Sequence, residues 1–309
     1  MNQVEAEILE AKVNLMLADV SDMQFVILQK DDKAYKKLLN KLRDAIATTY
    51  DEQTRSALKE VVSYLVGKGS DKFVSTDAVA IDEILTRKLG KDLQAVVTDD
   101  VNTLTKEILK LGKNEVLKPL DIKLSFSVKD VEASKILADQ NLFWVGEHYN
   151  KNLKEKFDDL TSSYFDGDKT IQDVADDFEK NFNKLTDQGK QYFYDLAEHQ
   201  TNTVRELGKV NGFEQAGIQY YEVRAIIDDR TSEICQRMNG TIFPVERAVE
   251  YRDNILSLTD PEAIKEASPW LTPDEVQVLP ADDGELPPGL SLPPYHFRCR
   301  TITVAHFKE

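Results

Sequence analysis

The distribution of proline limits what this chain can fold into more than any other feature. Of its ten prolines, Pro119 alone falls in the first 210 or so residues, whereas Pro261, Pro269, Pro273, Pro280, Pro287, Pro288, Pro293 and Pro294 crowd one late stretch. Proline removes a backbone donor and clashes with the preceding helical turn, so a long helix is barred from the late stretch and little opposes helices earlier. The chain therefore reads as helix after helix, then an extended, partly ordered Pro-rich excursion over 260–294.

Apolar spacing supports the helical part. Val97, Val101, Leu104, Ile108 and Leu111 step by four and three, as do Tyr149, Leu153, Phe157, Leu160 and Tyr164, which draws one apolar stripe along each helix. Gly67-Lys68-Gly69-Ser70 separates an early helical hairpin from the next helical segment, and Leu111-Gly112 reads as a helix end. Thr170 with Asp173 marks a helix start, followed by Val174, Phe178, Phe182 and Leu185 on one face. A further helix is expected from about Gln191 to Val210, with Phe193, Leu196, Val204 and Leu207 inward and Asn211-Gly212 as its stop. Residues 119–129 suit a short strand or an extended linker, and a domain boundary is expected there.

Beyond Gly217 the residue types change. Ile218 to Ile226 is rich in β-branched and aromatic residues and closes on the turn pair Asp228-Asp229, so it reads as a strand. Thr241 to Phe243 and Arg300 to His306 are two more strand candidates. The expected class is α+β: a helical N-terminal region, 1–130, then a domain over 131–309 in which a helical lead-in precedes a small mixed sheet.

The formal charge of -16 repels phosphate, which disfavours indiscriminate coating of DNA. The densest basic stretch carries Lys30, Lys33, Lys36, Lys37, Lys41 and Arg43. It reads either as the solvated face of an amphipathic helix or as a DNA contact. No run of about 18 apolar residues exists, and residues 1–12 are acidic and polar where a signal peptide is basic and then apolar, so a soluble protein made in the cytoplasm without membrane contact is expected. Two cysteines, Cys235 and Cys299, permit at most one bridge, and reduced thiols are the default.

Two short segments carry most of the functional information. One is Ile227 to Gly240, with Asp228, Arg230, Thr231, Cys235 and Gly240; the other is Pro293 to Arg300, with Pro293, Pro294, His296, Cys299 and Arg300. An Asp after a strand caps a turn, and an Arg fork holds a carboxylate through two bonds, so Asp228, Arg230 and Thr231 suit a structural hand-over from strand to helix. Arg298 and Arg300 are expected in or beside that network. Cys235, His296 and Cys299 are side chains zinc prefers. A four-ligand site would add Asp228, Asp229 or His306; three ligands and a water would describe an open site. A packed thiol cluster and a disulfide are the alternatives. A Cys235–His296 nucleophilic pair would further need an oriented imidazole and an exposed thiol. His148 and His199 sit in helical patterns and read as surface or partner-facing residues.

These segments, an Asp-x-Arg-Thr element with a following Cys and Gly and a closing Pro-Pro-x-His-x-x-Cys-Arg, resemble the phage head morphogenesis, or Mu F-like, family over roughly residues 140 to 305. Many members carry further cysteines where this chain has Ser232 and Thr301, and a Thr-Glu pair where it has Thr201-Asn202. The resemblance implies a minor head protein of the virion, assembled in the host cytoplasm, that binds the portal protein. Scaffold, major capsid protein and phage DNA are further implied partners, and the role is in procapsid assembly and DNA packaging, retention or delivery. It also implies a fold distantly like that of ADP-ribosyltransferases, without implying their activity. Such an enzyme would want a strand Arg, a Ser-Thr-Ser-like strand and a catalytic Glu; Arg224 and Glu222 exist, but no such strand is visible. A protein that is not an enzyme, with zinc as its one conceivable cofactor, is the expectation.

Overall fold

The fold is taken from a computed structural model, which describes residues 32–68, 73–148, 171–281 and 283–307. The expected stripe from Tyr149 to Tyr164, Lys30, Gly69, Ser70 and Thr170 lie outside these residues, as do the side chains of His148, Phe178, Phe182 and Leu185. Helix α1 spans Lys33–Lys68 and α2 Ser75–Thr86; a π-helical turn, Arg87–Asp92, joins α2 to α3, Leu93–Glu115. Helix α4 spans Val128–His148 and α5 Ile171–Ala216. Then come β1 (Tyr220–Arg224), α6 (Glu233–Met238), β2 (Ile242–Pro244), α7 (Val245–Ser257), α8 (Pro261–Ala267), α9 (Pro273–Gln277) and β3 (Ile302–His306). The class is α+β, helical for most of its length with one small sheet. That sheet is antiparallel throughout, in the order β2-β1-β3, rather than mixed. No helix among the described residues is long and apolar enough to cross a membrane.

The chain divides into two compact units, each drawing on both sides of residue 130. The helical unit comprises the described residues within 40–103 and 139–197. Leu42, Ile46, Tyr50, Ala57, Val61 and Leu65 recur by four and seven along α1, and all are buried. Ile81 and Leu85 of α2, Val97 and Val101 of α3, Val145 of α4 and Phe193 of α5 are buried with them. The rings of Tyr50 and Phe193 meet at 4.7 Å. The basic stretch falls at the start of α1, where Lys33, Lys36, Lys37 and Lys41 are exposed and Leu39 and Leu42 are buried. Arg43 departs from that face: it is half-buried, with its guanidinium 5.9 Å from the Tyr194 ring and a bond to the Tyr194 carbonyl.

Among the described residues the sheet unit comprises 32–39, 104–138 and the stretch from residue 198 onward. Its spine is the second half of α5, buried without a break from Val204 to Val210. Two helices expected on either side of residue 188 are here one helix of 46 residues. Neither expected glycine stop is a stop. Helix α3 continues past Gly112 to Glu115, and α5 past Gly212 to Ala216, where Gly217 at φ +70° ends it. Gly112 and Gly208 lie where the two helices nearly touch: a side chain on Gly112 would strike the backbone of Arg205, and one on Gly208 that of Leu109. Glycine here serves backbone approach, a use that spacing along the sequence does not distinguish from a cap.

A helix enclosed on all sides must pair its charges, because an unpaired buried charge is costly. Arg205 forks onto Glu115 at 2.8 and 3.0 Å, reaches Asp32 at 2.7 Å and stacks on Tyr35. Lys113 meets Asp130 at 2.6 Å, and Asn211 donates to the other oxygen of that carboxylate at 2.7 Å. Glu206 and Lys209 pair at 2.6 Å and together take the backbone of Thr303 in β3: its N–H donates to Glu206 at 3.0 Å, and its carbonyl accepts from Lys209 at 3.1 Å. Since Thr303 stands opposite Val223, these are the groups of β3 that face away from β1. The outer edge of the sheet is thus closed by two buried side chains instead of another strand.

The segment expected as an extended, partly ordered excursion carries short helices and turns among its described residues. Three of its eight prolines, Pro261, Pro273 and Pro288, sit at the first positions of α8, α9 and a 3-10 turn at Pro288–Leu290, where their missing N–H costs nothing. Arg237 donates to the Pro280 carbonyl at 2.8 Å, Arg247 binds the carbonyls of Asp283, Gly284 and Leu286, and Val276, Leu286, Leu290 and Leu292 are buried. Residues 119–129 pair with no strand; a 3-10 turn at Lys118–Leu120 leads into an extended link to α4.

Gly112→Ala provides a test of sign. At a helix end or exposed position the change is neutral or gains up to about 1 kcal/mol from helix propensity. With Arg205 backbone in the way we expect a loss of about 1–3 kcal/mol, as for other overpacked sites, measured by urea unfolding.

Candidate functional site

The end of β1 feeds directly into the Asp-x-Arg-Thr turn. The Asp228 N–H donates to the Thr231 hydroxyl at 2.8 Å, that hydroxyl donates to the Ile226 carbonyl at 2.8 Å, and the Arg230 N–H donates to the Asp228 carboxylate at 3.0 Å. The Arg230 side chain itself is exposed and reaches Asp228 only at 3.4 Å. Ser232 caps α6 by accepting from the Cys235 N–H, which turns the Cys235 side chain inward. Beyond α6, Gly240 takes φ +83°, where a side chain would be strained, and its N–H donates to the Val223 carbonyl at 2.8 Å.

The closing segment returns to this turn. Its Pro293-Pro294 peptide bond is cis, and Arg298 takes the left-handed conformation at φ +60°. Arg300 then forks onto Asp228 at 2.7 and 2.5 Å. Cys235 Sγ lies 3.2 Å from His296 Nε2 and 3.6 Å from Cys299 Sγ, and the ligand atoms of all three residues fall within 4.8 Å of one another. Of the ten residues singled out in the two sequence segments, Asp228, Cys235, His296, Cys299 and Arg300 thus meet across them. Both cysteines are free and buried, so in this state they are not a disulfide. Among the described residues the three form a group that could hold a metal, and Asp228, Asp229 and His306 are not part of it. Asp228 is taken by Arg300, and His306 lies 4.0 Å from Glu222.

The local chemistry is a thiol pair facing an imidazole. Hydrogen bonds from Cys299 and, next, His296 and Ser232 hold the Cys235 thiol well below its usual range, against the opposing effect of burial. The same Cys235 bond, together with burial, pushes the Cys299 thiol up. Contact with Cys235 raises the His296 imidazole. The ring is oriented by its other nitrogen: Nδ1 donates to the Phe297 carbonyl at 2.6 Å. A nucleophilic Cys235 has its oriented imidazole here, but the thiol is only 4% exposed, whereas attack needs an open sulfur.

Several residues of the site are not evident in the sequence. Asn202 accepts from the Tyr35 hydroxyl at 2.6 Å and donates to the Cys299 carbonyl at 3.1 Å, and Ser232 Oγ lies 2.8 Å from His296 Nε2. Both occupy positions that stand out in the sequence only as departures from a family pattern. His199, expected at the surface, packs edge-on against Trp270 and Phe297 at 5.1 and 5.6 Å. Its Nδ1 is shielded, and burial lowers its pKa to about 4. Aromatic residues about 70 and 100 positions away along the chain close over it, which helical periodicity does not register. Arg224 and Glu222, the enzyme-like pair, bond to each other on β1 at 3.3 Å.

Compared with protein-family models, curated proteins and solved structures, the chain matches none.

Arg300 holds the Asp228 carboxyl well below the usual range, so the ion pair stabilises the fold above the ordinary Asp range and that contribution is lost as pH falls through it. Asp228→Asn and Arg300→Gln should each unfold at lower urea than the parent at neutral pH. The gap should begin to shrink below about pH 4, where the unfolded chain's carboxylate protonates, and close only as pH falls on through the lower range in which the carboxylate held by Arg300 protonates as well. A gap that persists in acid would mean that the residues act other than as an ion pair.

Proposed function

We propose that the chain is a phage minor head protein, bound at the portal vertex, that assists procapsid assembly and DNA packaging, retention or delivery. The carrying observation is that the two sequence elements on which the resemblance rests meet each other: Arg300 on Asp228, and His296 and Cys299 on Cys235. Residues used to fasten one end of a domain to a distant turn have a structural reason for their identity. That supports a protein that works through its surfaces, with the portal protein as partner and scaffold or major capsid protein as secondary ones.

One observation favours a second reading, an internal head protein that touches DNA. Lys33, Lys36, Lys37 and Lys41 are exposed along the first turns of α1. Without Arg43 this is a short basic stripe on a chain of charge -16, and counterion release from so few contacts gives modest, salt-sensitive affinity.

The test is co-sedimentation of the purified chain with cognate procapsids assembled with and without portal protein. Entry only when portal is present is expected. Entry regardless of portal, or no entry, would overturn portal binding. Reversing the four lysines to glutamate separates the two readings, because portal-dependent entry should survive it, and lost DNA retention with entry intact would favour the DNA-contacting reading.

A further inference from the structure

We propose that Cys235, His296 and Cys299 form a zinc site with three protein ligands and an open fourth position. Zinc binds thiolate at about 2.3 Å and imidazole at about 2.0–2.1 Å, so tetrahedral geometry requires sulfurs about 3.8 Å apart and sulfur and nitrogen about 3.6 Å apart. The corresponding separations here are 3.6 Å between the sulfurs and 3.2 Å from Cys235 Sγ to His296 Nε2, and all three ligand atoms lie within 4.8 Å of one another. The two printed pairs would open by a few tenths of an ångström, and Cys299 Sγ and His296, within 4.8 Å of each other, would settle near about 3.6 Å.

The surroundings fit the same ion. Nδ1 of His296 carries a proton, since it donates to the Phe297 carbonyl, which makes Nε2 the bare nitrogen of the neutral ring. That is the nitrogen facing Cys235. A backbone acceptor behind a ligating histidine is the usual device for fixing its tautomer and orientation. The Cys299 sulfur is positioned likewise, by hydrogen bonds with the backbone at Tyr295 and Thr301. Two thiolates and an imidazole select zinc over magnesium or calcium, which take oxygen ligands.

The fourth position borders Ser232, whose Oγ is 2.8 Å from the same His296 nitrogen. A water completes the set there, held by that hydroxyl. An ion at this point would tie α6, which carries Cys235, to the strap that carries His296 and Cys299, across 61 and 64 residues of chain.

The experiment uses the full chain, purified without a metal-binding tag from zinc-supplemented cells and freed of loose metal by gel filtration. Zinc is measured by plasma emission, and cobalt is offered to protein stripped by chelator. One zinc per chain is expected, with sulfur-to-cobalt charge transfer and tetrahedral ligand-field bands in the cobalt form. Cys235→Ala, Cys299→Ala and His296→Ala should each lose the metal, and Ser232→Ala should keep it. Where a variant does not fold by circular dichroism, the cobalt spectrum of the parent decides alone. A parent that takes up neither metal overturns the proposal, whether its two thiols titrate as free or its mass shows a disulfide. Zinc retained in all three folded ligand variants overturns it equally.

Discussion

The outer edge of the sheet is closed by two buried charges, and the rest of the sheet unit depends on how they are satisfied. Strand β3 has β1 on one side and, among the described residues, no strand on the other, so the backbone groups of Thr303 that face outward need partners. Glu206 and Lys209 supply both from α5 and neutralise each other. Each is nearly without solvent contact, at 1% and 0% exposure, so neither is tolerable without the other. The arrangement sets the register of helix against strand, because a shift of one residue would leave a charge and a backbone pair unsatisfied together.

The same helix carries that constraint outward. One turn before Glu206, Asn202 holds the Cys299 carbonyl; beyond it along α5, Asn211 reaches Asp130 at the start of α4 and accepts from Arg252 of α7. Close approach to α3, permitted by Gly112 and Gly208, brings Glu115 onto Arg205. The strap bearing His296, Cys299 and Arg300 therefore docks on a surface whose position is already set, and the Asp228 turn receives it. A joint of this kind explains why acid, base and thiol side chains cluster here.

Much of this is legible in the sequence, and the failures share one cause. The helical stripe from Val97 to Ile108 and the inward set Phe193, Leu196, Val204 and Leu207 are buried as their spacing requires. The three strands fall within or against the segments rich in β-branched and aromatic residues. The residue types of the two motif segments point to one network. What spacing along one element cannot show is contact between elements. Gly112 and Gly212 read as helix ends because helix-to-helix approach leaves the same residue. Glu206 and Lys209 carry no signal in the sequence, because their partner is the backbone of a strand 94 or more residues away. The Pro-rich stretch reads as loose because the arginines that pin it, Arg237 and Arg247, come from other helices.

Hydrogen exchange on a Glu206→Gln variant measures the dependence of strap and sheet edge on that charge most directly. Removing the carboxylate leaves Lys209 buried without its counter-charge, which typically costs about 3–5 kcal/mol. Amides of β3 and of the strap from Tyr295 to Arg300 are then expected to lose protection together, while those of α1 within residues 40–65 keep theirs. Unchanged protection across Ile302 to His306 would contradict this, since the strand edge would then hold without the charges that close it.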